Sequence, residues 1–332
     1  MMRRPLTRRS LVRLSTLALF TGSFFAGQAL AQAPAFPSKP VRIVVAFAPG
    51  GGVDAIARLL ATKLTVMWGQ PVIVENKAGA SGYIGADMVA KSPADGHTVV
   101  ISVPNSHSIG PHLVKPPYDA LRDFTQMSLL ISFPNVLVTG NSIPVNSMAE
   151  LVAMGKARPK TLNFASSGIG SSQHLSGEMF NMVAGIDAVH VPYKGSAAAM
   201  VDLIGGAVTF SFDTATGTIP HIKGGKLKAL AVAGPNRIPQ LPNVPTTAEA
   251  GLPGVQMSTW YGLSGPANMP RAVVQKWNAD VVKVLQMPDV RERIEQLAGQ
   301  SVASSPAEFQ AYLEAEYAKM GKLVKEANVK AD

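Results

Sequence analysis

Val41-Arg-Ile-Val-Val-Ala-Phe-Ala-Pro-Gly-Gly-Gly-Val-Asp-Ala-Ile-Ala-Arg-Leu-Leu60 is the stretch whose reading decides the fold. Val41 to Val45 is a β-branched run behind Pro40, the pattern of a short buried strand. Phe47-Ala48-Pro49-Gly50-Gly51-Gly52 then reads as a sharp turn. Val53, Ile56, Ala57, Leu60, Leu64 and Met67 recur at helical spacing, which predicts a helix from about Val53 to Trp68. A helix start leaves backbone N–H groups unpaired and carries a partial positive charge. Three glycines let a ligand approach that backbone, so the stretch is a generic anion seat. No Lys-Ser or Lys-Thr pair follows the glycines, which excludes a P-loop, and the G-x-G-x-x-G dinucleotide spacing is absent.

The chain has 332 residues, 47% of them hydrophobic, enough for two domains with sizeable cores. Residues 1–31 read as a secretory signal peptide. Arg3, Arg4, Arg8, Arg9 and Arg13 make its basic leader, an apolar run follows, and Ala29-Leu30-Ala31 fits a cleavage site. Thr7-Arg8-Arg9-Ser10-Leu11-Val12-Arg13 resembles a twin-arginine signal, with an ordinary arginine-rich export leader as the alternative. Removing those five arginines from a formal net charge of +9 leaves 25 basic against 21 acidic residues, a mild +4. With no basic run or aromatic-interleaved basic patch, nucleic acid is not an expected partner. The chain has no cysteine, so disulfides and thiolate metal sites are excluded. No H-E-x-x-H or comparable cluster supports a metal, and no cofactor is expected.

Along the chain, Pro71 to Glu75 and His97 to Ser102 read as further strands, with a helix from the Gly79-Ala80-Ser81-Gly82 turn to about Ala90 between them. This βαβαβ order implies a parallel sheet covered by helices. Phe124 to Ser132 reads as a strand ending at Phe133-Pro134, and Asn135 to Thr139 as the start of a second lobe. There, Leu162 to Ala165 is a strand, Ser166 to Ser172 a small-residue turn, and Gln173 to Val183 a helix. Strands at Val189 to Tyr193, Val208 to Phe212 and Lys228 to Val232 follow, the last expected in the chain. Thr246-Thr247-Ala248-Glu249 reads as the cap of a short helix. Helices beginning at Pro270, Pro288 and Ser305 are expected to return to the first sheet. The expected fold class is α/β in two lobes, each a mostly parallel sheet flanked by helices. Residues 33–134 with 250–332 form lobe 1, and 135–249 form lobe 2.

Two strand–turn–helix units, one per lobe, would set two helix N-termini on facing walls of a cleft. In open α/β sheets ligands sit beyond the carboxyl ends of the strands, where both turns lie. Phe36 to Val45, the Pro49-Gly50-Gly51-Gly52-Val53-Asp54 turn, Ala165 to Leu175, Val191-Pro192-Tyr193-Lys194-Gly195 and Pro245 to Gly251 together resemble the periplasmic solute-binding receptors of tripartite tricarboxylate transporters, the Bug-type receptors. The resemblance covers essentially the whole chain after the leader. It implies a periplasmic-binding-protein (Venus-flytrap) fold, a small carboxylate ligand, delivery to membrane transporter subunits, and a periplasmic location. It also implies that a ligand carboxylate sits on the first turn, often through waters, without an arginine clamp. Ala46 stands where the family usually has Pro, and Val103-Pro104-Asn105-Ser106-His107 replaces a Thr-rich loop on the expected pocket wall.

The candidate ligand-binding residues follow. Phe47, Ala48, Gly50, Gly51 and Val53 offer N–H groups or close packing on the first wall. Ser166, Ser167, Ser171, Ser172 and Gln173 offer hydroxyl and amide donors on the second, with helix capping as the alternative role. Ser102, Asn105, Ser106 and His107 follow the third strand, and Asp213 follows the strand at Val208. The expected protein is a monomeric binding protein, not an enzyme. An exported α/β hydrolase-like enzyme and a stand-alone carboxylate sensor are the alternatives. Against the first, Tyr83 stands where a G-x-S-x-G elbow needs its last glycine. The ligand can be a dicarboxylate, tricarboxylate, amino acid or aromatic acid.

Overall fold

The computed structural model describes residues 36–47, 49–193 and 195–330, and the leader lies outside the described residues. From Pro37 onward the chain forms one compact unit. Its elements alternate first: β1 (Val41–Val45), α1 (Gly52–Trp68), β2 (Val72–Asn76), α2 (Tyr83–Ala90), β3 (Thr98–Ser102) and the short α3 (Pro104–His107). The long β4 (Phe124–Gly140) leads to α4 (Met148–Ala157), β5 (Asn163–Ser166), α5 (Ser172–Ala184), β6 (Val189–Pro192) and α6 (Ser196–Gly205). Then come β7 (Phe210–Thr214), α7 (Ala215–Lys223), β8 (Leu227–Val232) and β9 (Ser258–Pro266). The chain ends with α8 (Arg271–Gln286), α9 (Pro288–Gln296), β10 (Gln300–Ser301) and α10 (Pro306–Glu326).

The strand order is β2-β1-β3-β9-β4-β7-β5-β6, with β8 and β10 also on β4. One sheet joins β1 to β2 and β3 in parallel, then β9, β10 and the first part of β4 antiparallel. The other joins β5 to β6 and β7 in parallel, with β7 and β8 antiparallel to the end of β4. The two-lobed α/β architecture is present, but the sheets are mixed rather than mostly parallel. The crossover helices dictate the parallel strands, and the returning β4 and β9 supply the antiparallel ones.

Three expectations are corrected here. β4 does not stop at Pro134: it runs through it. Phe124 to Pro134 pairs with β9, and Asn135 onward pairs with β7 and β8. Pro134 sits where the strand changes partners, so its missing N–H interrupts no ladder. β9 was not expected at all. Its glycines weaken the strand pattern, yet a Cβ on Gly262 would collide with the Phe309 ring of α10, so glycine is there for close approach. Thr246 to Glu249 is a turn, not a helix, although Thr246 Oγ1 and the Glu249 carboxylate exchange the two bonds of a capping box.

The returning helices do cover the first sheet. α8 and α10 pack on β4, and α8 packs on α1, where Trp68 and Trp277 meet edge to face at 4.7 Å. Ser305 opens α10 with a complete capping box. α10 then reaches the second sheet's helices: Met320, Leu323 and Val324 share an apolar cluster with Leu175 and Met179 of α5.

Candidate functional site: two helix N-termini on one strand

The glycine turn is built around a carboxylate. Gly50 has φ +90°, a left-handed conformation natural to glycine. Gly51 is the N-cap of α1 at φ −80° and ψ 172°. Asp54 turns back to accept from Gly50 N at 3.0 Å. Arg58, one helical turn on, donates to it through Nε at 2.8 Å and Nη2 at 3.0 Å. Asn76 Nδ2 donates to Asp54 at 2.9 Å and to Phe47 O at 3.1 Å, tying the end of β2 to the turn. The Arg58 hydrogen bonds, then the Gly50 N–H, hold the Asp54 carboxyl well below the usual carboxylate range, against the opposing effect of burial. With the turn fixed this way, the N–H groups of Gly52, Val53 and Asp54 have no acceptor among the described residues. Gly50 and Gly51 are exposed, Phe47 and Val53 are half-buried, and Ala48 lies outside the described residues.

The serine turn is held by the helix it opens. Ser171 is the N-cap of α5 and accepts from His174 N at 3.2 Å, so capping is its role here. Gln173 reaches back to accept from Ser167 N at 2.6 Å and donates to Ser196 Oγ at 2.7 Å and Asp213 Oδ1 at 2.5 Å. Ser166 is buried and accepts from Gly168 N at 3.1 Å. Asp213 lies within β7 rather than after it, paired with Val136, and is 2% exposed. Burial pushes its carboxyl up, opposed by hydrogen bonds from Thr214 N, Gln173 and Ser196. Gln173 and Asp213 therefore spend these groups on one another and on the turn. The half-exposed Ser167 hydroxyl and the N–H groups of Ser172 and Gln173 have no protein partner among the described residues.

The third group is placed differently from expectation. Ser102 is fully buried, with its Oγ 2.5 Å from Ser264 Oγ, and Ser264 donates to Gln126 within the sheet. Ser106 and His107 are enclosed as well. Tyr118 donates to Ser106 O at 2.8 Å, Ser106 Oγ lies 2.8 Å from His107 Nδ1, and the His107 ring packs 4.7 Å from Phe124. The chain turns inward after β3 because Val103 and Pro104 are themselves buried. Of this group only Asn105 is half-exposed.

What relates the two turns is β9. Thr259 and Tyr261 share one face of the strand, while Trp260 between them is buried. Thr259 Oγ1 lies 3.1 Å from Ser172 Oγ, at the start of α5. Tyr261 Oη lies 3.0 Å from where a Cβ on Gly52 would stand, at the start of α1. Two residues along a strand span roughly 6.5 Å, so both helix N-termini converge on one short segment. Sequence reasoning missed Thr259, Tyr261, Asp54 and Asn76. The Asp54–Arg58 spacing was a readable i,i+4 signal, whereas the short Thr-Trp-Tyr run of β9 was obscured by its glycines. Among the described residues no group of three or more His, Asp or Glu side chains is placed to hold a metal ion.

A family model described as "Tripartite tricarboxylate transporter family receptor" matches residues 56–329. The chain is 35% identical over 304 residues to protein BugT of Bordetella pertussis, covering 91% of this chain and 93% of that one. Among solved structures, R. palustris Rpa4515 with adipate superposes with a TM-score of 0.77 at 35% identity, covering 89% of this chain and 99% of that chain. MatC (Rpa3494) from Rhodopseudomonas palustris with bound malate superposes with a TM-score of 0.74 at 33% identity, covering 87% and 100%. At 12% identity and a TM-score of 0.55, PhnD1 of Prochlorococcus marinus shares the fold alone. Fold, paired turns and relatives agree, and the chain belongs to the receptor family of the tripartite tricarboxylate transporters.

Proposed function

We propose that this chain captures a small carboxylate between its two turns and delivers it to membrane transporter subunits from the periplasm, without performing chemistry on it. The observation that carries this reading is the convergence of two helix N-termini, each with free N–H groups, on Thr259 and Tyr261. Each N-terminus favours an anion by about 0.3–1 kcal/mol, and each hydrogen bond to a charged acceptor adds about 1.5–3 kcal/mol. A few such bonds, less the cost of association, match micromolar affinity, about −8 kcal/mol. The carboxylates held by the related Rpa4515 and MatC structures, adipate and malate, support a dicarboxylate as the first ligand to try. Binding is favoured over hydrolysis because Asp213 is committed to Gln173 and Thr214 rather than to a histidine.

The contacts we assign to the ligand are the N–H groups of Gly52, Val53, Asp54, Ser172 and Gln173, with Ser167 and Tyr261 as side-chain donors. The lobes divide at Asn135 and again ahead of β9. Export by the leader and a monomeric state belong to the same reading. Thermal-shift screening followed by calorimetry tests it, with adipate, malate, amino acids, aromatic acids and the neutral diamide of adipate as a control. A ligand that binds only the folded protein raises its melting temperature. Stabilisation by a carboxylate but not by the diamide is expected. A panel in which no carboxylate stabilises the protein overturns the reading.

A further inference from the structure

The imidazoles of His174 and His190 stack beneath the serine turn, with ring centroids 3.7 Å apart and planes 7° from parallel. Phe164 stacks on both, and His174 is 5% exposed. Each ring holds part of the turn. His174 Nδ1 accepts from Gly170 N at 3.1 Å, and His190 Nε2 lies 2.7 Å from Ser166 Oγ. Because Nδ1 accepts, neutral His174 carries its proton on Nε2, which faces Glu178 Oε1 at 3.5 Å. A second proton can enter His174 only at Nδ1, the atom that holds Gly170. It would also place a cation face to face with a second imidazole in a buried stack.

We propose that the His174–His190 pair positions the serine turn and makes its shape depend on protonation: neutral rings hold Ser166 to Ser171 for ligand, and proton uptake releases Gly170. The proposal rests on the reading of this turn as one wall of the carboxylate site. The titratable neighbours are few. Glu178 on α5 favours a His174 cation, but from the far edge of the ring, and cannot replace the acceptor that Gly170 loses. Asp213 on β7 reaches the turn through Gln173. β5 presents Phe164 and Ser166, and Leu113 lies against Gly170. Burial, and then His174, push the His190 pKa down to about 3, so that ring stays neutral in mild acid.

Nuclear magnetic resonance on the isotope-labelled exported protein tests this without any ligand. Imidazole spectra read the tautomer, and amide spectra read Gly170. Near neutral pH, His174 should be the Nε2–H tautomer. On acidification, the Gly170 amide should move with the same midpoint as His174 protonation. In His174→Asn an amide oxygen that does not titrate replaces Nδ1, so the Gly170 amide should stay flat. Calorimetry with adipate and malate, at about pH 7.5 and about pH 5, should show wild-type affinity falling about tenfold or more. The Asn variant, which meets the same ligand protonation, should change less than about twofold relative to that ligand effect. An Nδ1–H tautomer near neutral pH, a Gly170 amide indifferent to imidazole titration, or an Asn variant with wild-type pH dependence overturns the proposal. If neither acid binds the wild type at about pH 7.5, the carboxylate reading fails for those ligands, while the spectra still decide the histidine pair.

Discussion

Replacing Gly51 with serine should make the protein more stable and a poorer binder at once. Gly51 caps α1 without a side-chain bond, in the extended conformation that serine caps adopt, and among the described residues no atom beyond its chain neighbours lies within 4 Å of the position its Cβ would take. Serine is therefore admitted without strain, and its Oγ can accept from the N–H of Val53 or Asp54. A serine cap outranks glycine by a few tenths of a kcal/mol. Loss of glycine's freedom in the unfolded chain adds about 0.4–1 kcal/mol. The sum, about 0.5–1.5 kcal/mol, corresponds to roughly 1–6 °C in melting temperature at about 2–4 °C per kcal/mol. The same hydroxyl takes one N–H away from the ligand. A hydrogen bond to a charged acceptor is worth about 1.5–3 kcal/mol, so affinity should fall about tenfold or more. Thermal melts and calorimetry with the best-binding carboxylate from the screen measure both. Gly50→Ala is the contrast: at φ +90° an alanine is strained by about 1 kcal/mol or more, so stability falls with affinity. A Gly51→Ser protein that melts higher and binds unchanged would refute the first seat.

Tyr261→Phe removes a donor that has no hydrogen-bond partner among the described residues, so affinity should fall roughly fivefold, about 1 kcal/mol, with the melting temperature nearly unchanged. Burial pushes the Tyr261 phenol up to about 12, so calorimetry should find no loss of binding as pH rises to about 9. Ser171→Ala should cost about 0.5–2 kcal/mol of stability, read by denaturant unfolding, with affinity held. Ser172→Ala breaks the contact with Thr259, so small-angle scattering should show weaker ligand-driven closure. His107 is fully buried, and desolvation pushes its pKa down to about 3. The unfolded chain therefore binds the extra proton between about pH 6.5 and pH 3, and stability falls as pH drops through that window. Between about pH 7.5 and pH 5 this one group accounts for about 2 kcal/mol, and urea unfolding of His107→Phe should lose that part of the slope.

The parts of the fold legible in the sequence are those whose own residues pattern them. The β-branched run before the glycines and the apolar spacing from Ile56 to Leu64 gave β1 and α1, and Ser305 with Glu308 announced α10. What failed depended on partners distant in the chain. Gly262 reads as a strand breaker until Phe309 occupies the space beside it. Pro134 reads as a strand end until β4 is seen to exchange one sheet for the other there. His107 reads as a loop residue until Tyr118 and Phe124 enclose it. In the site, glycine and serine composition exposed both helix starts. Their relation could not be read, because Thr259 and Tyr261 sit on a strand whose short Thr-Trp-Tyr run is broken by Gly262 and Gly265.

An anion seat built over a carboxylate looks self-defeating, and the resolution lies in how the charges are spent. Asp54 stands at the third position of α1, where a negative charge satisfies the helix dipole and competes with any anionic ligand. Arg58 offsets that charge directly, and Asn76 takes another of its lone pairs. The guanidinium is thereby committed to shaping the turn. What the proposed site leaves for a ligand is a set of oriented, neutral N–H groups without partners among the described residues: Gly52, Val53 and Asp54 in one turn, Ser172 and Gln173 in the other. Such donors recognise the direction of a carboxylate's lone pairs and hold its ionised oxygens more strongly than a neutral carbonyl. On the proposed reading, specificity comes from the distance between the two turns, each of which touches β9 through Thr259 or Tyr261, and a ligand's chain length has to match it.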